Sequence, residues 1–263
     1  MNHSKHANKN LLDGFSVDAP YITETRRLLQ NLYRQQKSGS DRARSYIVTS
    51  AGTGEGKSTI CSLLAIVTAT IFQKRTLLLD GDLRRPSLHS LLGVTRAPGL
   101  FDVLRRTATV RDASRMTSIP LLTVIPSGEP RGPLGEYYDD EQFGTFFAEI
   151  RSEYDIIFVD SPPAVPTIEP LLMAEHVESI LLVAMAGQTQ TALFRRLTAI
   201  LDPVFPKIAG IILNNAVGGL PYYYDYRYYG YGKKEPARIR RYALRGKREQ
   251  DGQLLARRMG GEG

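Results

Sequence analysis

The segment Ser50-Ala51-Gly52-Thr53-Gly54-Glu55-Gly56-Lys57-Ser58-Thr59 constrains the fold of this chain more than any other. It follows a short apolar run, Tyr46–Thr49, and opens a long segment of helical character, Lys57–Phe72. A glycine-rich turn between a strand and a helix is the context a phosphate-binding loop requires. Glycines allow consecutive backbone N–H groups to close around phosphate oxygens, and the helix N-terminus adds partial positive charge. Gly52, Thr53, Gly54, Glu55, Gly56, Lys57, Ser58 and Thr59 are therefore candidate nucleotide-binding residues. Lys57 is placed to reach the β- and γ-phosphates, and Ser58 to put a hydroxyl on Mg²⁺. Ala51 stands where the usual pattern has its first glycine.

Downstream, short runs dense in Ile, Leu and Val alternate with helical stretches. Candidate strands are Tyr46–Thr49, Thr76–Leu79, Leu121–Ile125, Ile156–Val159, Ile180–Ala184 and Ile208–Leu213. Candidate helices are Ile22–Gln36, Lys57–Phe72, Glu141–Glu153, Glu169–Ala174 and Thr191–Leu201. Strands without polar alternation are buried on both faces, so the order predicts an α/β fold. That fold is a doubly wound, mainly parallel sheet of the P-loop NTPase type with helices on both faces, binding ligands where strands end.

Two of those strand ends carry carboxylates. Leu77-Leu78-Leu79 runs into Asp80-Gly81-Asp82-Leu83-Arg84, and Ile156–Val159 runs into Asp160-Ser161-Pro162-Pro163. In an extended chain residues i and i+2 share a face, so Asp80 and Asp82 are expected to converge on one metal or nucleophile. An apolar strand ending in Asp160 has the Walker B arrangement, predicting a Mg²⁺ contact. The last strand closes in Asn214-Asn215-Ala216-Val217, which has neither the Lys nor the Asp of a guanine-reading loop. ATP is thus favoured over GTP, with Asn214 either touching adenine or forming a turn.

Beyond Val217 the composition changes. Residues 222–231 hold seven of the fourteen tyrosines. Residues 232–263 carry ten Lys/Arg against four Asp/Glu, leaving the preceding chain almost neutral. The expected organisation is a flexible lead at 1–20, a nucleotide-binding domain at 21–217, a flexible tyrosine segment at 218–234 and a disordered basic tail at 235–263. A basic tail is attracted to anionic membrane surfaces, whereas no nucleic-acid partner is expected. The longest apolar run, Ile60–Phe72, is interrupted by two threonines and a serine and is too short to span a bilayer. The polar N-terminus predicts no secretory leader, and the lone Cys61 forms no internal disulfide.

Together the P-loop, the doubled-Asp strand end with Arg84, the Asp160-Ser161-Pro162-Pro163 segment and the tyrosine cluster resemble the bacterial tyrosine kinases of capsule and exopolysaccharide synthesis. The resemblance spans about Tyr21 to Lys234. It implies ATP and Mg²⁺ as cofactors, phosphate and metal binding by Lys57 and Ser58, and a metal site completed by Asp82 and Asp160. It assigns catalysis to Lys57, Asp80 and Asp82, with Asp80 the first choice for orienting or accepting the tyrosine proton. The phosphoacceptors would be Tyr222, Tyr223, Tyr224, Tyr226, Tyr228, Tyr229 and Tyr231. It further implies a membrane-embedded co-polymerase as activator and a cytoplasmic protein recruited to the inner membrane face. Glu24 and Arg27 match an oligomerisation helix of that family, but Gln30 replaces its second arginine, removing one bidentate partner from a homo-oligomer contact. Two rival readings stay open: a P-loop ATPase switch and an ATP-binding regulatory module. Related division-site ATPases carry a second lysine five residues before the P-loop lysine, where this chain has Gly52.

Overall fold

The computed structural model describes Leu11 and residues 19–35, 44–130 and 140–216. The tyrosine cluster, the basic tail and most of the N-terminal lead lie outside the described residues. In chain order the elements are α1 (Pro20–Gln35), β1 (Arg44–Ser50), α2 (Lys57–Thr70), β2 (Thr76–Asp80), α3 (Leu88–Leu92), α4 (Leu100–Leu104) and α5 (Val110–Ala113). There follow β3 (Arg115–Met116), β4 (Leu122–Ile125), α6 (Asp140–Arg151), β5 (Ile156–Asp160), α7 (Glu169–Glu175), β6 (Ser179–Met185), α8 (Thr191–Ile200) and β7 (Ile208–Asn214). A 3₁₀ turn at Asp202–Lys207 leads into β7.

Seven strands form one sheet in the order β3-β4-β2-β5-β1-β6-β7, parallel throughout except for the two-residue β3. The expected doubly wound sheet is present, and its apolar runs follow from burial on both sides. Every residue of β2 and β5 is buried, as are six of the seven in β1. Successive side chains of β1 enter opposite layers. Ile47 joins the layer of α4, α6, α7 and α8, while Tyr46 and Val48 join that of α1, α2 and α3. Ile22, Leu29 and Leu32 bury the amphipathic face of α1 in the second layer, and Tyr33 hydrogen bonds to Thr68 of α2 at 3.1 Å.

Register positions the site. At the start of β2, Arg75 donates through Nη2 to Asp155 Oδ1 at 2.9 Å and through its backbone N–H to Oδ2 at 2.8 Å. That fork aligns the two strands from Thr76↔Ile156 to Asp80↔Asp160. The two terminal aspartates are therefore direct neighbours. Since β5 lies between β1 and β2, they stand beside the loop that follows β1. The crevice at such a point of strand-order reversal is where doubly wound sheets hold ligands.

Candidate active site

The loop after β1 is held in place from within and from the β6–β7 side of the sheet. The Ser50 hydroxyl donates to the Gly52 carbonyl at 2.7 Å. The buried Glu55 carboxylate accepts from the Gly52 N–H at 3.1 Å and from the Thr189 hydroxyl at 2.5 Å. Asn214 Nδ2 donates to the Glu55 carbonyl at 3.0 Å, and its Oδ1 accepts from the Asn215 N–H at 2.8 Å. Asn214 thus braces the loop and shapes the turn beyond β7. Glu55 likewise works inside the loop.

Two glycines make this path possible. Gly54 and Gly56 have φ of +78° and +90°, a region closed to most side chains. A Cβ on Gly56 would also lie 2.2 Å from Asn214 Nδ2. Gly56 is the N-cap of α2, and no side chain caps that helix. Its first N–H groups therefore remain for an anion, in the way helix N-termini bind phosphate. Lys57 is buried, Ser58 half-buried, and Thr53 and Thr59 exposed. Among the described residues Lys57 makes no hydrogen bond or salt bridge, and its charge acts on Asp160.

The opposite wall is acidic. Asp80 and Asp160 are fully buried and Asp82 nearly so. β2 ends at Asp80, so the shared-face argument for an extended chain does not reach Asp82, which lies beyond the strand. Just past the strand, Gly81 donates to the Asp160 carbonyl at 2.8 Å. A Cβ on Gly81 would lie 2.8 Å from the same oxygen, a requirement for glycine that the sequence did not signal. Asp82 Oδ1 accepts from the Arg85 N–H at 2.9 Å. Asp80 Oδ2 accepts from the N–H groups of Ser87 and Leu88 at 3.2 and 3.1 Å, which fixes the start of α3.

Three of the remaining oxygens are unsatisfied. Asp80 Oδ1 and both oxygens of Asp160 are buried without a hydrogen-bond partner. Burial, followed by the charge of Asp160, drives the Asp80 carboxyl well above its ordinary value, while its bond from Leu88 pulls it back and Asp82 adds to the rise. Burial also raises Asp160, to about 7. The nearby Ser58 hydroxyl and the Lys57 charge oppose that rise, and Asp82 adds to it. A buried carboxylate oxygen without a donor costs on the order of 1–3 kcal/mol or more, a cost that a divalent cation offsets. No cluster of three or more His, Cys, Asp or Glu side chains that could hold a metal alone occurs among the described residues. The donor set suits Mg²⁺, which takes one or two carboxylates and fills its shell with phosphate and water.

Between the acidic wall and solvent, Arg84 pairs with Glu169, the first residue of α7. Its Nε and Nη2 both lie 2.6 Å from Glu169 Oε1. The sequence marked Arg84 only through its motif and marked Glu169 not at all. On α1, Glu24 and Arg27 form an exposed pair at 2.8 Å within one turn.

No family model matches the chain. The tyrosine-protein kinase CpsD of Streptococcus agalactiae is 30% identical over 185 residues, covering 70% of this chain and 80% of that one. The tyrosine-protein kinase Wzc of Salmonella typhi is 30% identical over 190 residues, 70% of this chain, which spans 26% of that longer protein. Among solved structures, the kinase domain of the Escherichia coli tyrosine kinase ETK superposes with a TM-score of 0.73 at 23% identity, covering 81% of this chain and 82% of that one.

Proposed function

This chain belongs to the bacterial tyrosine-kinase family, and from that premise we propose that it transfers the γ-phosphoryl group of ATP to tyrosine hydroxyls, including those at Tyr222, Tyr223, Tyr224, Tyr226, Tyr228, Tyr229 and Tyr231. The observation that carries this reading is the contrast across the crevice. An uncapped helix N-terminus that begins with the buried Lys57 stands beside three buried carboxylates, some of whose oxygens have no hydrogen-bond partner. One wall suits phosphates; the other suits a cation and a proton.

Each residue then has a task. The N–H groups of residues 54–59 and the Lys57 ammonium bind the phosphates. Ser58, Asp160 and Asp82 would hold Mg²⁺, which when bound would neutralise charge on the transferring group. Asp80, whose proton affinity is raised, orients the acceptor hydroxyl and takes its proton. The phenolic oxygen forms the new bond to phosphorus as the bond to the β-phosphate oxygen breaks, and ADP leaves. Burial and the ordered loop supply positioning, the main requirement of phosphoryl transfer.

In this reading tyrosines of one copy enter the site of another, and each phosphate adds about −1.5 to −2 charge that favours release. Among the described residues no helix is long and apolar enough to cross a membrane. We assign membrane recruitment to a separate co-polymerase activator, helped by the basic residues after Gly232, with the pathway that of capsule or exopolysaccharide synthesis. The test is incubation of the full chain with Mg-ATP, with and without an activator's cytoplasmic segment, followed by mapping of phosphotyrosine by mass spectrometry. Phosphate on residues 222–231 that falls roughly a hundredfold to a thousandfold in Lys57→Met supports the kinase. Free phosphate released with no modified tyrosine would favour the ATPase switch.

A further inference from the structure

The Arg84–Glu169 pair is not accounted for by phosphate or metal binding. Glu169 is 2% exposed, whereas Arg84 is 49% exposed. Both bonds from the guanidinium go to Oε1, leaving Glu169 Oε2 buried and unpartnered. As a means of stabilising the fold this is a poor arrangement, because burying a carboxylate costs several kcal/mol and apolar replacements of such pairs are often neutral or better. As a means of aiming a guanidinium it is a good one. With its Nε–Nη2 edge fixed on Glu169, the Arg84 fork is held in one plane. Its Nη1 group makes no hydrogen bond among the described residues and remains for an oxyanion.

The topology indicates which oxyanion. The nucleotide cradle follows β1 and is braced from β6 and β7 by Thr189 and Asn214. Arg84 follows β2 and Glu169 follows β5, on the opposite side of β1 from those braces. The phosphates already have Lys57 and the start of α2. A tyrosine entering from the β2–β5 side would meet Arg84 and Glu169, which follow those two strands. Ile168, next to Glu169, is 62% exposed and gives an apolar surface on which an aromatic ring can rest.

We infer that Arg84 is the acceptor-side cation, contacting the tyrosine oxygen and the phosphate it receives, and that Glu169 is the positioning residue that aims it. This deepens the kinase reading and rests on it. Arg84 neither gains nor loses a proton; the hydroxyl proton goes to Asp80 and the leaving group is ADP, as above.

The experiment uses the full chain with a synthetic peptide of residues 219–231 as added acceptor, and its phosphotyrosine form as a binding probe. In Glu169→Gln and in the Arg84→Met/Glu169→Leu double variant, KM for the peptide should rise and kcat fall by about tenfold each, while ADP affinity stays within about threefold. Arg84→Lys should restore little, since it keeps charge but not the fork. The double variant removes both charges together, so it remains folded, as its Tm will report. A folded double variant with wild-type peptide kinetics would overturn the inference, as would a loss confined to KM for ATP. If the wild type phosphorylates no tyrosine, the kinase reading fails. Arg84 is then judged by the phosphopeptide alone: tenfold weaker binding in the double variant upholds an anion site, and equal binding removes it.

Discussion

The two walls of the crevice come from the same sheet and are finished differently. On the β1–β6–β7 side, the loop is braced through Glu55, while Lys57 and the first N–H groups of α2 are left for the ligand. Glu55 is bonded to Gly52 and Thr189, and its carbonyl to Asn214. On the β2–β5 side, three carboxylate oxygens of Asp80 and Asp160 are buried with no partner. A satisfied network holds a backbone shape in advance of its ligand, and an unsatisfied one stores free energy that the ligand's charge releases. The phosphate wall is therefore rigid and the acidic wall is responsive to charge.

The largest expected effect tests the acidic wall. Asp80→Asn should lower phosphoryl transfer about a hundredfold or more while ATP affinity stays within severalfold, because an amide oxygen can still accept from Ser87 and Leu88. Unchanged transfer, measured by phosphotyrosine formation in single turnover, removes Asp80 as the base. On the rigid wall, Gly56→Ala should weaken nucleotide binding about a hundredfold, since the new methyl collides with Asn214 at 2.2 Å in a backbone conformation that disfavours it. Fluorescent-ADP titration measures this. Wild-type affinity would show that the loop is not held as rigidly as its hydrogen bonds imply.

Asp160→Asn should separate stability from function. Loss of the buried charge should raise the Tm of the nucleotide-free domain, and the Mg-ADP binding constant read from the ligand's added stabilisation should fall to less than about a tenth of the wild-type value. The same group sets a pH dependence. Its folded value of about 7 lies above the ordinary 3.8, so the folded state holds the proton more tightly. The resulting stability is fully present below about pH 4 and is lost as pH rises through 7. Urea denaturation between pH 5 and 8 should show this fall in the wild type and a flatter profile in Asp160→Asn; parallel profiles would exclude Asp160 as the source. The smallest effect belongs to Thr189→Val, which leaves Glu55 Oε1 without a donor and should weaken ADP binding only severalfold.

Much of the crevice was legible in the sequence because its parts are local. The P-loop, the β2 end and the β5 end each announce themselves within about ten residues, and a buried parallel strand has a composition of its own. The braces were not legible. Glu55–Thr189 and Asn214–Glu55 join residues 134 and 159 apart, and Arg84–Glu169 joins residues 85 apart; only the folded register brings them together. The helices at 88–92, 100–104 and 110–113 were missed because four or five residues are too few to show a 3.6-residue period. The shared-face argument for Asp80 and Asp82 assumed a strand running through both, whereas β2 ends at Asp80. The fate of the tyrosines lies outside the described residues and stays with the experiment on the full chain.

The claim underlying these comparisons is that the acidic wall holds extra protons until a magnesium nucleotide displaces them. Titration calorimetry of Mg-ADP binding at pH 6.5, repeated in two buffers of different ionisation enthalpy, measures that displacement. Release of about half a proton or more per nucleotide, diminished in Asp160→Asn, is the predicted result. Binding with no proton release in the wild type would contradict it.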